Sequence, residues 1–284
     1  FDGVESAASN VVFIDERLRL SRPAAINSIS LDGAILVTWQ DNSFLDAPDG
    51  FDRYRVYSTL FSLDENLCAD AWALEGTTVS PEFLISALVN GQPRCFAVSA
   101  VSIEGFESSW SDLIADTPRP DARNVFMTPI EVDPNFAGFR FFQDANGDGL
   151  VGGLELGIVT SGMRSDVDIR FFMDPNGDVF IEPIRTGVEV GLYSSARVAD
   201  LTSIDIAPEA GFDVTPIQAV TGFGYVVQIA EADGFFRYGA IHMTHVGTDY
   251  VIFDWSYQTD PGNPELSVHG GQTFSDGRPL KVRR

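Results

Sequence analysis

The residues whose spacing carries the sharpest chemistry are Asp144, Asn146, Asp148, Leu150 and Glu155. Counting from Asp144, side-chain oxygens fall at positions one, three, five and twelve, with a backbone carbonyl at seven and Gly149 at six. That is the ligand order of a calcium loop. Calcium takes hard oxygen ligands, and a glycine at the sixth place lets the backbone turn so that they converge. The flanks are not helical, since Phe139-Arg140-Phe141 alternates like a strand and Gly152-Gly153 weakens any exiting helix. Two readings stand: a Ca2+ ion that stiffens the turn, and a solvated Asx-rich hairpin turn.

Other residues offer less. His242 and His245 stand three apart in an expected strand, which places them on opposite faces and keeps them from sharing a metal, while His269 lies in a Gly-rich tail. The Gly-x-Ser-x-Gly elbow of a serine hydrolase does not occur. With 41 Asp and Glu residues any carboxylate pair for glycoside hydrolysis is easy to draw and therefore unspecific. Asp254, beside Trp255, and Asp233 are the two worth examining, with turn capping as the alternative. No enzymatic activity is expected.

The same acidic surplus bounds the partners. A net charge of -23 repels phosphate backbones and anionic lipid, so nucleic acid is not expected. No apolar run is long enough to span a membrane. Lys281 is the lone lysine, which removes a P-loop, a core Schiff base and Lys-Asn isopeptide staples from consideration. A first residue Phe1 in place of Met favours a chain whose leader was removed. Cys68 and Cys95 are the two cysteines. In an exported chain they form a disulfide worth ~3 kcal/mol or somewhat more; the alternative is a pair of buried thiols.

The elements that must position these groups are strands. Residues 23–118 contain Ile26 and Ile29, Ile35-Leu36-Val37-Thr38-Trp39, Tyr54-Arg55-Val56-Tyr57, Gly76-Thr77-Thr78-Val79 and Cys95-Phe96-Ala97-Val98-Ser99-Ala100-Val101. Short alternating runs separated by Gly, Pro, Asp and Asn predict an antiparallel sandwich. Residues 119–123, which begin inside the stretch Thr117-Pro118-Arg119-Pro120-Asp121, read as a Pro-rich linker. A second β domain with a C-terminal tail follows over 124–284. Its expected strands cover 138–142, 154–160, 166–173, 178–185, 188–194, 225–230, 236–246 and 250–257, with a short helical or irregular piece at 199–211. Phe141-Phe142, Phe171-Phe172 and Phe235-Phe236 each set one ring inward and one outward, and the outward rings suit a subunit interface or a ligand face. Ahead of the first sandwich, residues 1–22 form an extension in which Val12, Ile14, Leu18 and Leu20 share even positions of a strand. That strand either folds back in cis or completes a neighbour's sheet.

The first sandwich resembles a fibronectin type III domain, on the Trp of its second strand, Tyr-Arg-Val-Tyr of its third and Phe-x-Val-x-Ala-Val of its sixth. Arg94 and Cys95 replace the family's corner tyrosine. The second domain is similar only to uncharacterised secreted bacterial β-proteins, through Phe253-Asp254-Trp255-Ser256-Tyr257. The fold class expected is all-β, a fibronectin type III-like sandwich followed by a jelly-roll-like sandwich. The function expected is that of an exported bacterial structural or surface protein, extracellular or at the cell surface. It would act through contacts with itself as a homopolymer, a filament subunit joined by strand addition. A secreted carbohydrate-binding module, with a glycan as partner, is the alternative.

Overall fold

The computed structural model describes residues 19–145, 147 and 155–267. Val12, Ile14 and Leu18 of the expected assembly strand, Asn146, Asp148 and Leu150 of the expected calcium loop, and His269 lie outside the described residues.

Eight strands make the first sandwich: β1 (Ala24–Leu31), β2 (Ala34–Gln40), β3 (Phe51–Ser62), β4 (Leu67–Cys68), β5 (Ala73–Thr78), β6 (Glu82–Ile85), β7 (Arg94–Ser102) and β8 (Ile114–Asp116). One sheet runs β1-β2-β6 and the facing sheet β4-β3-β7-β8, with β5 also paired to β3. This is an antiparallel β-sandwich. Alternation sets the core: Ile35, Val37 and Trp39 on β2 face Tyr54 and Val56 on β3 and Phe96, Val98 and Ala100 on β7. Trp39 meets Tyr54 edge to face at 5.1 Å. A one-turn helix α1 (Asn42–Asp46) caps one end. Leu20 packs on this same core, and Ser21 and Arg22 are tied to α1 through their carbonyls by Ser43 Oγ and Asn42 Nδ2. The last residues of the N-terminal extension therefore fold back in cis.

Among the described residues ten strands make the second sandwich: β9 (Asp121–Met127), β10 (Gly138–Phe142), β11 (Leu156–Thr160), β12 (Ile169–Met173), β13 (Val179–Pro183), β14 (Val188–Leu192), β15 (Ile217–Gln218), β16 (Gly224–Ala230), β17 (Phe236–Val246) and β18 (Val251–Tyr257). They pair as β11-β10-β12-β13-β15 and β14-β16-β17-β18-β9. Hairpins and a meander dominate, and the long return is β9 laid beside β18. Between the sheets lies an aromatic core. Phe139, Phe141 and Phe171 from one sheet interlock with Phe253, Trp255 and Tyr257 from the other. The second sheet is also covered on its outer face, where Leu201, Ile204, Ala207 and Leu266 sit on Val226, Tyr238 and Ala240. Burial on both faces explains why β16 and β17 read as nearly continuous apolar runs. The 199–211 piece is a 3-10 turn at Leu201–Ser203 with irregular chain beyond it.

Two sequence expectations change. The proline segment is not a solvated spacer: Thr117, Pro118, Arg119 and Pro120 are all buried, and β9 starts at once at Asp121. Prolines bring no N–H, so such a segment is buried with fewer donors to satisfy. Three of its backbone groups are matched by neighbours from both sandwiches. Gly91 N–H donates to Pro118 O at 2.8 Å, Arg119 N–H to Leu31 O at 3.2 Å and Tyr257 N–H to Pro120 O at 3.0 Å. The histidines are also placed differently. A bulge between Met243 and His245 restores the phase of β17, so His242 lies across from Asp254 and His245 across from Ile252, both on the outer face.

One close approach tests the aromatic core. Gly157 has φ +61°, and a Cβ there would run into the Trp255 indole. Gly157→Ala combines left-handed strain with overpacking and should lower stability by about 2–4 kcal/mol in urea unfolding. A loss under about 0.5 kcal/mol, the range of a neutral surface change, would show that the indole does not rest there.

Candidate interaction site

The outer face of the β4-β3-β7-β8 sheet carries the most developed surface cluster. Ser108 and Ser111 build it. Each presents its backbone and its hydroxyl to β7: Ala100 O receives Ser108 N–H at 2.8 Å, and Ala100 N–H donates to Ser108 Oγ at 2.9 Å. Val98 and Ser111 repeat the pattern at 2.8 and 3.1 Å. Serines three residues apart thus stand in for a ladder, and the period of three turns Trp110 away from β7 and onto the sheet surface.

There Trp110 stacks on Tyr57 at 4.8 Å and meets Trp72 edge to face at 4.9 Å. All three rings are half-buried. Beside them Glu107 accepts from Tyr57 OH at 2.7 Å, Ser99 Oγ at 2.6 Å and the Arg55 guanidinium at 2.6 Å. Burial pushes the Glu107 carboxyl up, but these three donors outweigh it and leave the group below its ordinary range. Tyr57 is raised, first by burial and then by Glu107. The result is a rigid aromatic platform with an ionised, fully engaged carboxylate at its edge. Its partners leave Glu107 no proton to give, so the arrangement suits contact rather than acid catalysis.

A cleft of about 700 Å³ opens between the two sandwiches. Val89, Pro120, Val125 and Leu156 give it apolar walls, and Asp32 and Asp260 give it acceptors. Trp255 reaches its wall with an edge, and the indole Nε1 is buried without a partner.

The sequence-derived candidates fall elsewhere. Asp144 and Glu155 flank the loop between β10 and β11, so strands take the place of the helices of a helix-loop-helix site. Asp144 Oδ1 accepts from Gly147 N–H at 2.7 Å, and Glu155 Oε1 from Ala145 N–H at 2.9 Å. Among the described residues no group of three or more His, Cys, Asp or Glu is placed to hold a metal. His242 Nδ1 sits 3.7 Å from Asp254 Oδ2, and His245 stacks on Tyr250 at 4.7 Å, so the two share a face without sharing a partner. Asp254 also accepts from Asn124 N–H at 2.9 Å where β9 bulges, and Asp233 caps its own turn and pairs with Arg237 at 2.7 Å. Both carboxylates have structural work. Of the paired phenylalanines, Phe141 and Phe171 point inward, Phe172 points outward and stacks on Phe180 at 5.3 Å, and Phe236 leans on Tyr238. Cys68 and Cys95 are bonded, with Cα atoms 5.8 Å apart, joining β4 to β7 close to the platform. The loop they close, 27 residues in separation, is worth roughly 3.5 kcal/mol in the chain-entropy view.

Trp72 and Trp110 escaped the sequence reading because single aromatics carry no period. The Ser108-Ser109-Trp110-Ser111 spacing was the available signal. Trp110→Ala should abolish the near-ultraviolet circular dichroism of the coupled rings while lowering stability by about 1–2 kcal/mol. An unchanged spectrum would mean that the platform does not exist.

No protein-family model matches the chain, and no curated protein matches it. Solved structures give distant likenesses. An Fn3-like protein from Clostridium thermocellum is 21% identical, with 34% of this chain and 91% of that chain covered and a TM-score of 0.27. The third fibronectin III domain of human KIAA0343 protein is 15% identical over 40% of this chain and 94% of that one, with a TM-score of 0.31. A DUF4466 family protein from Parabacteroides merdae is 10% identical and spans 84% of this chain and 99% of its own, with a TM-score of 0.37. At these scores the likenesses carry no inference, and the fold rests on the ladders described above.

Proposed function

We propose that this chain is a non-enzymatic structural module that works through protein-protein contacts, exported by a bacterium and built into an extracellular or cell-surface assembly of its own copies. The observation that carries the reading is the junction: two sandwiches joined through a buried segment form a subunit of fixed geometry, as a repeating assembly requires. The Cys68–Cys95 bond supports an oxidising compartment. The three-on-four strand order supports fibronectin type III ancestry for the first sandwich. The two facing sheets of the second sandwich and the long return of β9 support a jelly-roll-like plan, while its meander does not. Assembly would proceed by strand addition from the N-terminal extension, with the platform on the first sandwich as a second contact. A Ca2+ ion in the 144–155 loop would stiffen the hairpin that borders the cleft.

The same platform supports a second reading. A stack of Tyr57 and Trp110, with Trp72 at its side and Arg55 and Glu107 within reach, suits a sugar ring as well as a protein, so glycan binding is the alternative.

Because Leu20 to Arg22 belong to the first sandwich, the deletion that tests strand addition stops at residue 18. The intact chain should form regular fibres by electron microscopy, and the chain lacking residues 1–18 should stay a folded monomer. Fibres that survive the deletion would sink strand addition. Retained binding on a glycan array by a monomer, lost in Trp110→Ala, would favour the second reading. For the loop, added Ca2+ should raise the melting temperature by several degrees and Asp144→Asn should remove the effect. Identical melting with Ca2+ and with a chelator would remove the ion.

A further inference from the structure

The junction holds two carboxyl groups that no mechanism of surface contact uses. Asp116, at the end of β8, and Glu265, in the segment after β18, are 1% and 2% exposed. They come from opposite sandwiches and meet at Thr117, which donates to both of them. Their outer oxygens are taken. Ser30 Oγ donates to Asp116 Oδ1 at 2.5 Å, Thr117 N–H to the same oxygen at 2.7 Å, and Thr117 Oγ1 to Glu265 Oε2 at 2.9 Å. Asp116 Oδ2 and Glu265 Oε1 are buried as well, with the Ser28 hydroxyl of β1 beside the Asp116 carboxyl. Two carboxylates buried at one site repel each other, and a proton held by the pair removes that repulsion.

We infer that Asp116 and Glu265 form a carboxylic acid–carboxylate pair whose single shared proton locks the two sandwiches together, and that rising pH opens this lock. The charged groups around the pair are few. Arg119, fully buried, donates through Nε to Leu266 O, and its Nη1 lies 3.5 Å from Asp121 Oδ2. Arg123 shares Asp121 at 3.4 Å. Arg119 thus faces one negative charge of the pair. A second charge would have no counterpart, because β1 contributes only the hydroxyls of Ser28 and Ser30. Burial is the main cause that raises both carboxyls above their ordinary range, and for Glu265 the neighbouring Asp116 charge comes next.

The sign follows. The folded chain keeps a proton that the unfolded chain releases near the ordinary carboxylate values, roughly pH 4. The stability it contributes is present below that point and is lost as pH rises through the raised values. Glu265→Gln replaces the proton by an amide N–H that donates to Asp116 Oδ2 at every pH.

The test compares the intact chain with Glu265→Gln and Asp116→Asn by chemical unfolding across the range from acid to alkaline pH. The folding constant of the natural chain relative to Glu265→Gln should fall by up to tenfold per pH unit above the ordinary carboxylate range. Infrared spectroscopy near neutral pH should show the carbonyl stretch of one buried protonated carboxyl, absent in Glu265→Gln. Parallel pH profiles for the natural chain and both variants, or no protonated-carboxyl band, would overturn the shared proton. Should Glu265→Gln fail to fold, Asp116→Asn and the infrared band decide by the same criteria.

Discussion

A guanidinium and two carboxyl groups sit where no water reaches, and the shape of the molecule depends on satisfying them. Burying an ion costs several kcal/mol unless neighbours replace its hydration, and removing one partner of such a set leaves the others uncompensated. Arg119 is completely buried between the sandwiches, so its charge is tolerable only while Asp121, Asp116 and the Leu266 carbonyl are held around it. Those partners come from β9, from β8 and from the far end of the described chain. Separating the sandwiches breaks all of these contacts at once. Packing alone would allow the two domains to slide; an enclosed ion network fixes one relative placement.

The remaining features build outward from that fixed frame. The Asp121–Met127 strand leaves the junction directly into the second sheet, so the aromatic core of the second sandwich starts within a few residues of the first domain's last strand. The cleft exists because the two sandwiches meet along one side of this segment, bringing Asp32 and Val89 from one against Leu156 and Asp260 from the other. On the far side of the first sandwich, the Ser108 and Ser111 hydroxyls hold Trp110 over Tyr57, and the disulfide pins the strands beneath. A half-buried aromatic platform is thus carried on one of two sandwiches that are joined through a buried segment.

Much of this was legible in the sequence where the signal is local. β17 is read to the residue from the turns that bound it, Ala232-Asp233-Gly234 and Gly247-Thr248-Asp249, and the buried Trp39 follows from its place in an apolar strand. Where long-range partners decide, the signal fails. Thr117-Pro118-Arg119-Pro120 has the composition of a solvated linker, and nothing near it announces that Leu266 and Glu265 will cover it. β9 was missed because Asp121, Arg123 and Asn124 break its apolar alternation, its pairing with β18 being set by a bulge and by Asp254. The histidine faces were inverted by one extra residue in β17. The calcium-loop spacing was plain to read, yet its metal depends on groups whose convergence spacing alone does not fix.

The measurement that bears most directly on a single welded unit is scanning calorimetry of the intact chain. Two sandwiches held by one buried ion network should unfold together, in one transition whose calorimetric and van't Hoff enthalpies agree. Two resolved transitions, or a calorimetric enthalpy near twice the van't Hoff value, would show that each sandwich folds for itself and that the junction is only a tether.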